Sequence, residues 1–214
     1  MGDLVPGPLP ANEPGEAGVS VYALAQPNGR LWQGEILENV IEIRPTVESV
    51  RSNREGEIEV FPIAHELAIV VSQDCDLEQD YNRRAGGQAG TLPNTLLCDV
   101  YLAEILRAKL QERDQLGRTD WRKRIGQNQN ERFHYLQRVR PDQDLQGQGL
   151  TAMALDFRLY FTIPTEELYV RLLTGIRRRC RLTQPYVEHL SHRFFKFQSR
   201  VALPQDHQID PIPE

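Results

Sequence analysis

A continuous apolar run at residues 67–72 (LAIVVS) constrains the fold of this 214-residue chain more than any other segment. The run lacks the polar–apolar alternation of a half-exposed strand, and this is typical of a strand that is buried on both faces. Such a strand needs hydrogen-bonded neighbours. Residues 31–43 favour a further strand by their β-branched content, although Ile36, Val40 and Ile43 also share a helical spacing. We therefore expect a sheet in the front half of the chain.

The other periodic segments predict an α+β domain. Alternation of apolar and polar residues predicts more strands at residues 19–24, 58–63, 95–102, 132–136 and 154–163. Helical spacing predicts one helix at residues 102–115. Two more helices are expected at 164–177 and from Gln184 onward, and consecutive helices of this kind pack as a hairpin. A strand-rich front with a helical hairpin at the back belongs to the α+β class.

Composition divides the chain into a core and two arms. Residues 1–18 are rich in proline, glycine and acids, and residues 205–214 are similar, so a flexible arm and a flexible tail are expected there. The single α+β domain then covers residues 19–204. Its strand-rich part is 19–163 and its helical hairpin is 164–204.

Several classes of protein are excluded. No apolar run approaches the ~18 residues of a membrane span, so no membrane partner is expected. The first 24 residues carry acids and prolines where a signal peptide has a basic flank and an apolar core. Cys75, Cys98 and Cys180 are too few and too widely spaced for a disulfide framework, which favours the reducing cytoplasm. No cofactor and no metal is expected.

The net charge of −5 hides a strong asymmetry. Residues 1–106 hold 17 acidic and 6 basic residues, whereas residues 107–204 hold 10 acidic and 19 basic ones. Because phosphates attract basic residues that alternate with aromatic ones, RNA or DNA is a candidate partner. Alternatively, the basic half docks on the acidic half or on a protein partner, or its side chains are simply solvated. The candidate nucleic-acid contacts are Arg122, Lys123, Arg124, Arg177, Arg178, Arg179, Arg181 and Arg193.

The arginines at 177–181 are expected between the last two helices. Burial of unpaired guanidiniums costs several kcal/mol each, so these side chains must be solvated, paired with the acidic front half, or reserved for a polyanion. We expect the third arrangement, in which Arg→Ala changes leave stability within about 0.5 kcal/mol. A large loss of stability would favour pairing with the front half instead.

The apolar run ends abruptly in the polar segment 72–76 (SQDCD), and such strand ends are common places for functional sites. The candidate catalytic residues are Asp74, Cys75, Asp76, His65 and His134. Because flanking carboxylates disfavour a thiolate, a histidine must come within hydrogen-bond reach of this segment for a hydrolase or a metal-dependent nuclease. The alternative is structural: the aspartates cap a turn and the cysteine packs inward.

Two stretches of residues 33–72 resemble the PemK/MazF-like toxins. They are Gly34-Glu35-Ile36-Leu37 and Ala68-Ile69-Val70-Val71-Ser72. The family implies a small SH3-like β-barrel and cleavage of single-stranded RNA, but it has Arg-Pro where this chain has Glu66-Leu67. The resemblance therefore implies a barrel, or at least a strongly bent antiparallel sheet, in front of the helical hairpin. The SQDCD segment also resembles stretches of uncharacterised bacterial proteins, which imply no function.

Three functions follow from these features. The first is a bacterial, cytoplasmic, non-catalytic protein that associates with nucleic acid in a toxin–antitoxin or phage-defence system. The second is a hydrolase or nuclease centred on Asp74, Cys75 and Asp76 with a histidine. The third is an adaptor or assembly protein without catalytic activity, which would form a concentration-dependent oligomer or need a protein partner.

Overall fold

The computed structural model describes residues 20–52, 58–114 and 117–199. Within these ranges seven strands form one antiparallel sheet in the order β1-β7-β2-β3-β4-β6-β5. The strands are β1 (Tyr22–Leu24), β2 (Glu35–Pro45), β3 (Val60–Val70), β4 (Asn94–Leu102), β5 (Phe133–Leu136), β6 (Met153–Pro164) and β7 (Arg177–Leu182). The helices are α1 (Val47–Ser52), α2 (Asp74–Ala85), α3 (Ala103–Asp114), α4 (Arg118–Asp120), α5 (Thr165–Thr174) and α6 (Tyr186–Gln198), with a π-helical turn (Trp121–Ile125) and a 3-10 turn (Pro141–Gln143).

The apolar run forms the end of the central strand, as its sequence predicts. β3 lies between β2 and β4, and its residues from Leu67 to Val70 are each less than 5% exposed. Ile69 belongs to a core that includes Leu190 and Phe194 of α6, whereas Val70 belongs to a second core on the other face, under α2 and α5. The strand has no polar face because both faces of the sheet are covered.

The α+β class is confirmed, but the barrel is not. The sheet ends at the edge strands β1 and β5 and is not closed into a barrel. The predicted strands at 95–102 and 154–163 lie inside β4 and β6, whereas the one predicted at 58–63 overlaps the start of β3, which continues into the apolar run as one strand. The ambiguous segment 31–43 contributes β2, which pairs with β3 from Ile36 to Pro45.

The helical hairpin at 164–204 is corrected by the structure. Its two helices, α5 and α6, lie close to the predicted positions, but the arginine-rich segment between them is the strand β7. β7 lies between β1 and β2, where Cys180 and Leu182 join the core that contains α6. The sequence suggested an exposed connection because four of its six residues are arginines, and acidic partners remote in sequence allow these residues to enter the sheet.

The helix predicted at 102–115 is confirmed as α3, with Leu106 and Leu110 buried against Ile125 of the π-helical turn. The polar segment after β3 is a helix, α2, with Asp74 and Asp76 in its first turn, where negative charge suits the helix dipole. The predicted arm 1–18 and tail 205–214 lie outside the described residues. No helix in the described ranges is long and apolar enough to cross a membrane.

β2 and β3 extend beyond their neighbours in the sheet. β7 pairs with β2 only as far as Glu38, and β4 pairs with β3 only from Leu67 onward. Residues 39–45 and 60–66 therefore form a two-stranded antiparallel extension, here called the ribbon. Asn39 has a positive φ of 61° at its base, a conformation that asparagine tolerates better than most residues.

Candidate functional site

Asp74, at the start of α2, holds two loops together. Its carboxylate accepts hydrogen bonds from the guanidinium of Arg30 at 3.0 and 2.8 Å and from the backbone N–H of Gln33 at 3.2 Å. The side chain of Gln33 in turn donates to the carbonyl of Val71 and to the hydroxyl of Ser191 in α6. Asp74 thus has a structural role, although it binds a neighbouring loop and does not cap its own turn.

Cys75 and Asp76 are exposed on the surface of α2. The Sγ atom of Cys75 lies 3.8 Å from the Oε1 atom of Gln73 and 3.8 Å from the Oδ1 atom of Asp76. Cys75 therefore does not pack inward as the structural alternative supposed. In the described part of the chain no imidazole hydrogen-bonds to Cys75, Asp74 or Asp76.

The two candidate histidines lie elsewhere. His65, in the ribbon, places Nδ1 3.2 Å from Asp99 and Nε2 3.4 Å from Glu42, and its ring stacks on Phe161 with centroids 3.8 Å apart. His134, in β5, lies beside His189 of α6 with ring centroids 5.3 Å apart. Both histidines thus contact residues other than Asp74, Cys75 and Asp76. The structure therefore does not bring the five candidate catalytic residues together.

The arginines of β7 are paired with acids. Arg177 lies 3.0 Å from Glu38, and Arg179 lies 3.0 Å from Glu38 and 2.7 Å from Asp144. Arg178 lies 3.4 Å from Glu35 and donates to the carbonyls of Gln26, Gly29 and Arg30. Of the three arrangements considered from the sequence, pairing with acids, mainly those of the front half, is the one observed.

Arg181 and Arg193 are also engaged inside the molecule. The guanidinium of Arg181 lies 4.3 Å from the ring centre of Trp32, and that of Arg30 lies 3.5 Å from the same centre. Arg193 donates to the carbonyls of Asn128, Asn130 and Phe133 and so fixes the segment before β5 on α6. These two side chains therefore stabilise the fold.

Arg122, Lys123 and Arg124 differ from the other basic candidates. They follow one another in the π-helical turn and all three are exposed. None of them forms a side-chain hydrogen bond or an ion pair with another described residue. They are the part of the predicted nucleic-acid surface that the fold leaves available.

Glu35 is a buried acid with an unusual environment. Its side chain is fully buried, Oε2 accepts a hydrogen bond from the backbone of Trp32, and Oε1 lacks a well-formed hydrogen bond. Burial raises the pKa of Glu35 from 4.5 to about 7, and the guanidinium of Arg178 offsets only part of that rise. The strand β2 carries three acids, Glu35, Glu38 and Glu42, and nothing in the sequence distinguishes Glu35 from the other two.

We expect Arg179→Ala to destabilise the protein by about 3–5 kcal/mol, because it leaves the buried carboxylate of Asp144 without its main partner. Arg177→Ala is the matched control, since this neighbouring arginine is half-exposed and should contribute about 0.5 kcal/mol or less. Urea denaturation at neutral pH measures both. Equal losses for the two variants would contradict the assignment of the buried pair.

We expect Glu35→Gln to flatten part of the pH dependence of stability. Because folding raises the pKa of Glu35, protonation favours the folded state, so its contribution is best below pH 4.5 and worsens as pH rises through about 7. Between these two pH values the free energy of unfolding of the variant should rise relative to that of the wild type by up to about 3 kcal/mol, at about 1.4 kcal/mol per pKa unit. Urea denaturation from about pH 5 to 8 measures it, with the exposed Glu66→Gln as control. Parallel curves for wild type and Glu35→Gln would refute it.

In comparisons with known proteins, no family model, no curated protein and no solved structure matches this chain. The resemblance of residues 33–72 to the PemK/MazF-like toxins therefore has no support beyond the residues that suggested it. Function must be argued from the surfaces and contacts of the described residues themselves.

Proposed function

We propose that this chain is an assembly protein that associates with a second copy of itself through the ribbon and α5. The observation that carries the proposal is a concentration of exposed apolar side chains on these elements. Leu173 of α5 is 81% exposed and Val170 is 56% exposed. On the ribbon and the adjoining α1 the exposed apolar residues are Ile41, Ile43, Val47, Val50, Val60 and Phe61.

Two of these side chains, Ile41 and Ile43, lie together in one groove between the ribbon and α5. Ile41, Ile43 and Pro62 of the ribbon line one groove with Thr174, Gly175 and Ile176 at the end of α5, with a volume of about 410 Å³. Large contiguous apolar patches on a folded protein mark interaction sites, because water is excluded from them on binding.

The faces of the ribbon are better suited to binding than its edges. Each strand carries a proline, Pro45 in β2 and Pro62 in β3, and proline removes a backbone donor from a strand edge. Arg171 of α5 also donates to the carbonyl of Ile41. Pairing of a further strand at the edge of β2 is therefore opposed, and we expect side-chain packing to hold the partner.

The charges of the ribbon are compatible with a second copy of the chain as the partner. Glu42 and Arg44 lie on the opposite face of β2 from Ile41 and Ile43, and they pair with each other at 2.7 Å. The face of the ribbon that borders the groove is therefore apolar, with Ile41, Ile43 and Pro62 on it. Such a face can pack on its own twofold copy without bringing like charges together, as an interface between identical subunits requires.

Sedimentation velocity should show a monomer–dimer equilibrium that shifts with protein concentration. Ile43→Glu should weaken dimerisation at least about tenfold, because burial of a carboxylate in an apolar contact is unfavourable. Ile105→Glu is the control. Ile105 of α3 is 41% exposed, close to the 46% of Ile43, and it lies outside this surface. A wild-type protein that stays monomeric at all concentrations, or equal effects of the two variants, would contradict the proposal.

The exposed turn of Arg122, Lys123 and Arg124 favours a second candidate, the nucleic-acid-associated protein of toxin–antitoxin or phage-defence type that the sequence predicts. Support for it is confined to these three side chains, because the other five basic candidates form contacts within the chain.

If RNA or DNA binds at this turn, the triple change Arg122→Gln, Lys123→Gln and Arg124→Gln should lower affinity and reduce the salt slope by up to about three, one per phosphate contact. The changes should leave the melting temperature unaltered because the side chains are exposed. Retention on RNA or heparin that does not change with salt would rule out this candidate.

A further inference from the structure

A groove with two adjoining cavities runs past β5. The inner cavity has a volume of about 330 Å³ and the outer one about 760 Å³, and both are lined by Val21, Tyr135, Gln137 and Tyr186. The shared lining places the two cavities next to each other. The inner volume lies in the range of small-molecule sites.

The inner cavity has aromatic walls, and one of its lining residues carries a buried polar atom without a partner. His134, His189, Tyr135 and Tyr186 contribute rings, and Leu182 is among the apolar residues of the lining. His134 is 3% exposed, and its Nδ1 atom has no hydrogen-bond partner among the described residues. A buried polar atom without a partner is costly, so a ligand that hydrogen-bonds here would remove a defect of the free protein.

The charges around the inner cavity disfavour a cation. Burial, with the nearby charge of Arg193, lowers the pKa of His134 to about 3, and the same two causes lower the pKa of His189. Both imidazoles are therefore neutral, mainly because burial disfavours their charged form, and the positive charge of Arg193 beside them adds repulsion for a cation. No carboxylate lines either cavity in the described part of the chain. The groove is thus suited to a ligand that carries negative charge.

The outer cavity supplies a cation for that negative charge. Arg138 and Arg140 line it. Arg140 is paired with Asp142 at 3.0 Å, whereas Arg138 is exposed and forms no ion pair or side-chain hydrogen bond with another described residue. A free guanidinium at the mouth of a groove is well placed for bidentate hydrogen bonds to a phosphate.

We propose that this groove binds a nucleoside monophosphate, with the base in the inner cavity and the phosphate at Arg138. A nucleobase is planar, so it stacks on aromatic side chains, and its edge carries the donors and acceptors that a neutral imidazole can meet. The inner cavity would hold the base and the adjacent outer cavity the phosphate, in the order in which these groups are joined in the ligand. This site is independent of the ribbon and of the assembly proposed above.

Isothermal titration of the full chain with AMP, GMP, CMP and UMP at low salt tests the proposal, with the matching nucleosides and inorganic phosphate as comparators. At least one nucleotide should bind with one-to-one stoichiometry, more tightly than its nucleoside and more tightly than phosphate. Arg138→Gln should weaken this binding about tenfold, the size expected for loss of one charge-assisted contact. Tyr186→Ala should also weaken nucleotide binding, whereas the affinity for inorganic phosphate should not change.

Arg107→Gln is the matched control, because Arg107 of α3 is exposed and forms no ion pair with another described residue but lies outside the groove. It should change the affinity less than about twofold. The proposal is overturned if no nucleotide shows saturable binding at about 1 mM to the folded protein. It is also overturned if Arg107→Gln weakens binding as much as Arg138→Gln, or if inorganic phosphate binds as tightly as the nucleotides.

Discussion

The ion pairs between β7 and its acidic neighbours are the interaction on which the rest of this fold depends. β7 lies between β1 and β2, so a strand in which four of six residues are arginines holds one side of the sheet together. Arg179 is accommodated there because Glu38 and Asp144 lie 3.0 and 2.7 Å from its guanidinium. Arg178 is accommodated because it donates to three backbone carbonyls in addition to lying 3.4 Å from Glu35. Without these partners the desolvation of the two arginines would oppose the pairing of β7 with β2.

The same pairs explain the charge asymmetry of the sequence. Glu35 and Glu38 belong to the acidic front half and the arginines of β7 belong to the basic back half, so the charge separated along the chain is partly neutralised within the sheet. From the sequence alone the asymmetry predicts a polyanionic partner as readily as an internal one, because a sequence shows charges but not their neighbours. Most of the basic candidates thus stabilise the fold, whereas the ribbon and α5 expose apolar side chains.

The parts of the fold that the sequence predicted are those in which local pattern and burial agree. The central strand, α3 and the two C-terminal helices were visible because their apolar residues repeat with the period of their own element. β7 was missed because its pattern is charged and its acidic partners are remote in sequence, Asp144 by 35 positions and Glu35 and Glu38 by about 140. α2 was missed because its first turn was interpreted as a polar site, although Asp74 and Asp76 equally suit a helix N-terminus.

The candidate site was harder to predict for a related reason. His134 and His189 are 55 positions apart and meet only because α6 docks on β5, and Arg193 secures that docking through carbonyls before and within β5. Burial is the main reason why both imidazoles are neutral, and the guanidinium that fixes the geometry adds to the effect and makes the cavity less favourable for cations. One partly buried arginine therefore contributes both to the shape and to the electrostatic preference of the groove. Neither effect can be seen in a sequence where Arg193 is only one of many basic residues.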